Sequence, residues 1–353
     1  MLKFGSRAIG PQLPPLIIAE MSGNHNQSLE RALALVDAAA DAGAHAIKLQ
    51  TYTPDTMTLN LDAPGFRIED PDSLWHGRTL YDLYREAHTP WEWHAPIFAR
   101  ARERGIECLS TPFDDTAVEF LEQFDPPAYK IASFEITDLP LIERVAQTGR
   151  TMIVSTGMAS VDEIADAVKT ARSHGCKDIV LLKCTSTYPA SPQDSNVVTV
   201  ADMRERFGAE TGLSDHTLGI GAAVAAVALG AVLVEKHFTL ARADGGVDSV
   251  FSMEPGELRS LVAETHRAWL ARGSVQYGAG PSEQKSLAYR RSLYVSRDIR
   301  RGEIFTRENV RIVRPGYGLA PRHFSEVLGK AAAADIRRGT AVTWDVVAGG
   351  REE

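Results

Sequence analysis

Eight short apolar segments, each followed by a stretch of helical periodicity, constrain this chain more than any other feature. The segments are LIIAEM (16–21), HAIKLQT (45–51), ECLSTP (107–112), AYKIAS (128–133), TMIVSTG (151–157), DIVLLKCT (178–185), TGLSDH (211–216) and VLVEKHFT (232–239). Helical stretches follow near 28–42, 91–104, 114–123, 138–147, 161–174, 200–207, 218–229 and 255–271. Alternation of this kind specifies a parallel sheet, and nearly continuous apolar strands are buried on both faces. Eight such units in about 275 residues predict a closed (β/α)8 barrel; an open, doubly wound sheet is the alternative.

The texture changes after Gly273. GSVQYGAGPSEQKSLAYR (273–290) is polar and glycine-containing, like a linker, and the remainder reads as short strands between turns. RDIRRGE (297–303) and ADIRRGT (334–340) share the string D-I-R-R-G, which suggests two similar β-turn elements. The expected organisation is therefore a barrel over 1–275, a linker over 276–290 and a small β-rich domain over 291–353. A domain of about 60 residues is marginal alone and is expected to dock on something larger.

Composition removes several function classes. Lys and Arg total 38 against 46 Asp and Glu, a net charge of −8, so the basic face that nonspecific nucleic-acid binding needs is missing. No polybasic membrane patch is present, and no apolar run reaches the roughly 20 residues of a membrane span. The first residues, MLKFGSRAIG, have no signal-peptide core. Cys108, Cys176 and Cys184 are too few and too scattered for a disulfide framework or a thiolate zinc site, and read as small buried hydrophobes. A reducing, cytoplasmic compartment is expected.

Function is signalled at the strand ends. Almost every strand finishes on polar residues: Glu20; Lys48 and Gln50; Ser110 and Thr111; Lys130 and Ser133; Ser155 and Thr156; Lys183 and Thr185; Ser214, Asp215 and His216; Glu235, Lys236 and His237. In a barrel these ends converge on the rim where active sites lie. Lys48 and Lys130 stand inside otherwise apolar strands, which is costly unless each meets an anion or carboxylate. Ser133, Ser155, Thr156, Gly157 and Ser214 add hydroxyl and backbone donors near helix starts, suited to a phosphate or phosphoester. Singly, each hydroxyl is equally well read as a helix cap, and a Schiff-base role for Lys130 is a rival. His216 and His237 end the seventh and eighth strands, close enough to share a divalent metal with positions left open; two separately hydrogen-bonded histidines are the alternative. Glu20 and Glu135 could be acid–base groups or lysine partners. His25 falls near the rim, whereas His45, His76, His88, His94, His174, His266 and His323 read as packing or surface residues. The segment TLYDLYREAHTPWEWH (79–94) lies in a long insertion after the second strand, either a cover for the core or a substrate lid.

Together, IIAEMSGNHNQ, AIKLQTYTPDT, LSTPFD, YKIASFEITDLPLI, STGM, CTSTYP, GLSDHTLG, EKHFTL and VRPGYGL resemble the bacterial sialic acid synthase family over nearly the whole chain. The tail resembles that family's antifreeze-like (SAF) module. TYTPDTMTL, LWHGRTLYDLYREAHTPWEWH and ASFEITDLPLI look most like the branch that uses a 2,4-diacetamido-2,4,6-trideoxy hexose. The resemblance implies condensation of phosphoenolpyruvate with that sugar, water adding at the second carbon of the enol phosphate and phosphate leaving by C–O cleavage. It implies a divalent metal, Mn2+ or Mg2+ with Co2+ as a further option, on His216 and His237. It assigns phosphoenolpyruvate to Lys48, Thr111, Lys130, Ser133, Ser155 and Ser214, and proton handling to Glu135 and Glu20. It assigns the sugar to Gln50, Tyr188, Asp248 and, from the small domain of a homodimer partner, Arg314. Under it a Schiff base at Lys130 recedes.

Two departures stand out. In DGGVDSVFS (244–252), Val247 replaces the family's proline, so a less rigid loop is expected, and the family's asparagine motif reads Thr185-Ser186-Thr187-Tyr188. The rivals are a sister activity on N-acetylmannosamine or the legionaminic acid precursor, and, from another class, a glycan- or ice-binding role for the tail.

Overall fold

The eight apolar segments close on themselves. In the computed structural model, which describes residues 1–350, they form β3 to β10 of a parallel barrel. After an N-terminal hairpin of β1 (Leu2–Phe4) and β2 (Arg7–Ile9), the barrel strands are β3 (Leu16–Glu20), β4 (Ala46–Thr51), β5 (Glu107–Pro112), β6 (Ala128–Ile131), β7 (Thr151–Ser155), β8 (Ile179–Cys184), β9 (Glu210–Asp215) and β10 (Leu233–His237). Each pairs with its sequence neighbour, and β10 closes beside β3 in the register Leu233↔Leu16 to His237↔Glu20. The closed sheet leaves no edge, and all its strand ends face the same rim.

Local chemistry sets the helix boundaries. Ser28 caps the helix Leu29–Ala42 by accepting from the Arg31 amide, and Gly43, at φ +90°, ends it in the left-handed region. Ser160 and Glu163 form a reciprocal capping box on Val161–Ser173. Asp138 caps Leu139–Gln147, whose second residue is Pro140. These helices bury aliphatic faces against the outside of the barrel, around Leu35, Val36, Ile97, Ile142, Val145 and Val168. The barrel interior is a separate core of Ile18, Ala46, Leu109, Ala128, Ile153, Val180 and Leu182. Gly212 is required on β9, because a Cβ there would collide with the Leu233 carbonyl.

The hairpin has no counterpart in the sequence reading, since two three-residue strands carry no usable periodicity. Phe4 and Ile9, essentially unexposed, join the interior core and stop the barrel at the end opposite the rim. Burying two such side chains contributes about 1.5–3 kcal/mol each. The insertion after β4 is more structured than a plain cover. It contains the short helix Pro54–Met57, a ladder through Ile68 and Arg78, and the helix Leu80–Ala87.

The chain divides into two compact units, the first Met1–Gly273 and the second beginning at Ser274. Within the second, Pro281–Tyr289 is a 3₁₀ helix, so most of the stretch expected as linker has regular structure. β11 (Ser292–Val295) pairs antiparallel with β12 (Val310–Val313). The two D-I-R-R-G strings meet each other: Ile299 and Ile336 exchange backbone hydrogen bonds of 2.8 and 2.7 Å. Asp298 accepts from the Arg338 amide and Asp335 from the Arg301 amide, so the echo in sequence is a reciprocal contact in space. Leu293, Val295, Phe305 and Val342 fill this unit's own small core.

Candidate active site

The rim of the barrel holds a buried charge cluster. Lys48, on β4, reaches Glu20 Oε2 of β3 at 2.8 Å and Glu235 Oε1 of β10 at 3.4 Å. Its ammonium also donates to Thr111 Oγ1 at 3.0 Å. Lys130, on β6, donates to Ser155 Oγ at 2.7 Å and to the Ile131 carbonyl at 3.1 Å, and stands 3.9 Å from Glu235 Oε1. All four charged groups are at most 5% exposed. Two cations and two carboxylates thus share a space without bulk water, where each charge feels the others strongly.

The ionisation states follow. Burial pushes the Glu20 carboxyl up to about 7, with Lys48 opposing and Glu235 reinforcing. Burial also acts to raise Glu235, but Lys130 and Lys48 overcome it and hold this carboxyl below its ordinary range. Lys48 is driven up, its two carboxylates outweighing desolvation, whereas burial pulls Lys130 down against Glu235. At neutral pH the cluster is a cationic pocket with one firm carboxylate, Glu235, and one carboxyl, Glu20, on the edge of ionisation. An incoming anion would find paired lysines, and Glu235 Oε2 has no hydrogen-bond partner.

The hydroxyl donors divide. Ser133 Oγ accepts from the Gly157 amide at 3.1 Å. Ser214 is buried, in register beside Glu235 on one side and Cys184 on the other. Gly157 is needed because a Cβ there would strike the Ser186 and Ser133 hydroxyls. Thr156 corrects the sequence reading: its hydroxyl donates to the Leu182 carbonyl at 3.0 Å, so it serves the backbone rather than an anion. The rim lysines divide as well. Lys236 is sequestered with Asp215 at 2.8 Å, and Lys183 donates to the Cys184 carbonyl at 2.8 Å; neither reaches the Lys48 cluster.

Beside the charge cluster stand the two histidines. The His216 and His237 rings are 5.3 Å apart and nearly edge-on. His216 Nδ1 lies 2.9 Å from the Thr185 carbonyl and donates to it, which leaves Nε2 as the ring nitrogen open to a ligand. Burial, then His216 and the nearby lysines, hold His237 well below its ordinary value, so its imidazole is neutral. His237 Nδ1 is buried without a hydrogen-bond partner, and Asp248 Oδ2 lies 3.8 Å from it. His237 offers a neutral imidazole, whereas at His216 burial is outweighed by Cys184, the Thr185 carbonyl and Glu235, which raise its proton affinity, so a divalent metal would displace a proton there. Among the described residues no group of three or more His, Cys, Asp or Glu side chains converges on one point.

A chain of hydrogen bonds joins the charge cluster to the expected sugar residues. Gln50 donates to Glu20 Oε1 at 3.0 Å and to Ser22 Oγ at 3.1 Å, and the Ser22 hydroxyl donates in turn to Asp248. Tyr188 packs 4.5 Å from the His216 ring and 5.2 Å from Phe251. Glu135, on the turn after β6, has Oε2 buried without a partner; desolvation lifts its carboxyl to about 7 while Lys130 opposes. Arg314 belongs to the second unit, where it follows β12 and precedes Pro315. His25 is wholly buried and pairs with Thr89.

Sequence reasoning placed Glu235 at the rim but gave it no role, and left Ser22 and Cys184 out of the candidate site. Glu235 was within reach, since it sits two residues before His237 and strand alternation puts both on one face. Ser22 had no signal, because only tertiary structure brings Asp248 to it. Cys184 is buried as expected, but burial is outweighed by His216, 3.9 Å away, which draws the thiol down to about 7.

A parallel barrel whose rim combines a lysine-lined anion pocket with a pair of buried histidines defines an enzyme class that handles a phosphorylated or carboxylated substrate. The chain belongs to the NeuB family, whose profile matches residues 35–277, and an SAF domain follows at 290–348. It is 46% identical to a pseudaminic acid synthase of Campylobacter jejuni over 326 residues, 92% of this chain and 94% of that protein. Identity to a pseudaminic acid synthase of Helicobacter pylori is 41% over 333 residues, covering 94% and 97%. An N,N'-diacetyllegionaminic acid synthase of Legionella pneumophila is 34% identical, with 97% of each chain covered. The crystal structure of an N-acetylneuraminic acid synthetase from Leptospira borgpetersenii, in complex with citrate, superposes with a TM-score of 0.72 at 33% identity, covering 82% of this chain and 95% of that one. No helix among the described residues is long and apolar enough to cross a membrane.

Proposed function

We propose that this chain is a pseudaminic acid synthase: it condenses phosphoenolpyruvate with 2,4-diacetamido-2,4,6-trideoxy-L-altrose and water, giving pseudaminic acid and phosphate. The observation that carries the reading is the Lys48–Glu235–Lys130 cluster placed directly beside the His216–His237 pair. It is an anion pocket adjoining a place for an electrophile. The 46% identity to the Campylobacter enzyme, against 34% to the legionaminic acid synthase of Legionella, favours the trideoxy sugar.

In the reaction the methylene carbon of phosphoenolpyruvate bonds to the sugar's aldehyde carbon, and the aldehyde oxygen takes a proton. Water adds at the second carbon of phosphoenolpyruvate, the C–O bond to phosphorus's oxygen breaks, and phosphate departs. Lys48 and Lys130, with Thr111, Ser133, Ser155 and Ser214, hold the carboxylate and phosphate of phosphoenolpyruvate. Burial lowers the Lys130 pKa, and a multiply charged anion beside it would oppose that and favour the ammonium. Glu135 and Glu20, both near 7, are suited to give and take protons at neutral pH. Gln50, Tyr188 and Asp248 orient the sugar. His216 and His237 would hold Mn2+ or Mg2+, and that ion, when bound, polarises the sugar carbonyl. Arg314 reaches the sugar's acetamido group from the second unit of a homodimer partner, in a cytoplasmic enzyme.

The test is a substrate panel. The protein is incubated with phosphoenolpyruvate, Mn2+ and each of three sugars, and phosphate release is followed. Fastest release with the trideoxy altrose is expected. Fastest release with N-acetylmannosamine or the legionaminic acid precursor would replace this reading with the sister activity.

A further inference from the structure

The insertion after β4 delivers one aromatic side chain to the sugar end of the site. Trp75 sits at the end of the ladder in which Ile68 bonds Arg78 and Gly77 at 2.9 and 2.8 Å, so its backbone is held in place. Its indole Nε1 donates to the Val247 carbonyl at 2.9 Å. Its ring lies 5.9 Å from that of Tyr188, tilted by 57°. Val247 is the position where the family's proline is missing, and its side chain packs so closely on Gly23 that a Cβ at residue 23 would collide with it. Asp248 follows directly. Trp75 therefore ties the insertion to the strap that carries Asp248 and faces Tyr188, touching the surroundings of two of the three barrel residues assigned to the sugar.

Indole has one polar atom. In Trp75 that atom is committed to Val247, so a sugar group that reaches the packed Trp75–Tyr188 pair meets carbon on the tryptophan side. A methyl group there loses water at a gain. A hydroxyl there loses water and receives no hydrogen bond from Trp75 in return. We propose that Trp75 is a specificity-determining residue, an apolar wall that selects a sugar carrying a methyl-bearing substituent, a deoxy carbon or an acetamido methyl, at this end. The assignment rests on the substrate reading above and deepens it. Discrimination of this kind, an apolar wall against an added hydroxyl, amounts to about ten- to a hundredfold.

The experiment compares wild type, Trp75→Ala and Trp75→Phe on two sugars, the trideoxy altrose and the hydroxyl-rich N-acetylmannosamine, with phosphoenolpyruvate varied separately. In Trp75→Ala the ratio of kcat/KM for the two sugars is expected to fall about ten- to a hundredfold, through KM of the trideoxy sugar. KM for phosphoenolpyruvate should stay within about twofold of wild type, since the wall faces only the sugar. Trp75→Phe, which keeps a ring but loses the bond to Val247, should retain most of the ratio. An unchanged ratio, with both sugars falling together, would overturn the assignment and leave Trp75 as a clasp for the loop. The substrate reading fails on different data, a preference of the wild type itself for N-acetylmannosamine.

Discussion

The two ends of the barrel interior are built on opposite principles. At the hairpin end, Phe4, Ile9, Ile153, Val180 and Leu182 exclude water and satisfy no partner beyond one another. At the rim, Glu20, Lys48, Lys130 and Glu235 are just as buried but charged. Ile153, Val180 and Leu182 belong to the same closed sheet as the charged set, and Phe4 and Ile9 reach its interior from the separate hairpin. The comparison teaches where free energy is stored and where it is spent. The apolar end contributes stability in proportion to its area. The charged end roughly breaks even on folding, because desolvation offsets attraction, and its worth lies in being organised before substrate arrives.

Substitutions at the two ends should therefore separate activity from stability. The largest effect is expected from His216→Ala or His237→Ala. Loss of a mere outer partner of a metal ligand costs about ten- to a hundredfold in affinity or activity, so loss of a ligand should cost more than about a hundredfold. Circular dichroism should show the fold intact. Full turnover after exhaustive chelation would remove the metal role altogether.

Lys48→Met probes whether the rim is neutral for stability as a set. It strips the cation from two buried carboxyls, and breaking a buried pair costs about 3–5 kcal/mol. Glu20 can escape by staying protonated, so the cost should be smallest in acid and grow as pH rises through about 7, read by denaturant titration at several pH values. A pH-independent loss would contradict the shared-proton cluster.

At the opposite end, Phe4→Ala is expected to lower stability by about 3–5 kcal/mol while both KM values stay unchanged, because the side chain touches only the interior core. A change in KM for phosphoenolpyruvate would show that the two ends are coupled.

The smallest effect concerns Glu135. Its folded-state carboxyl titrates near 7 against an ordinary 4.5, so the folded protein binds more protons than the unfolded chain between those values. Stability from this group is present in acid and declines as pH rises from about 4.5 to about 7. Glu135→Gln should flatten that slope and remove an ionisation near 7 from the pH profile of kcat/KM. An unaltered profile would assign that ionisation to Glu20.

Much of this was legible before any coordinates. Strand–helix alternation announced the barrel, and the strand boundaries fall within one or two residues of the apolar segments, because burial on both faces writes itself as a continuous apolar run. Lys48, Lys130, His216 and His237 announced the rim, since a charged group inside such a run has no inexpensive structural reason to be there. The echo of D-I-R-R-G announced paired elements in the tail. The N-terminal hairpin was not legible, because its strands are too short to show a period. Nor was the difference between Lys48 and Lys236: both are lysines near the ends of apolar strands, but one is shared by Glu20 and Glu235 and the other is spent on Asp215.

The sequence by itself determined which residues are buried, which strands are parallel and which side chains are chemically out of place, because periodicity and the cost of burying charge act locally along the chain. Tertiary structure alone decided the partners. Glu235 lies 187 positions from Lys48, and Trp75 bonds a carbonyl 172 positions away. Which carboxylate answers a lysine, and which loop an indole clasps, depends on barrel closure, which brings the first strand beside the last.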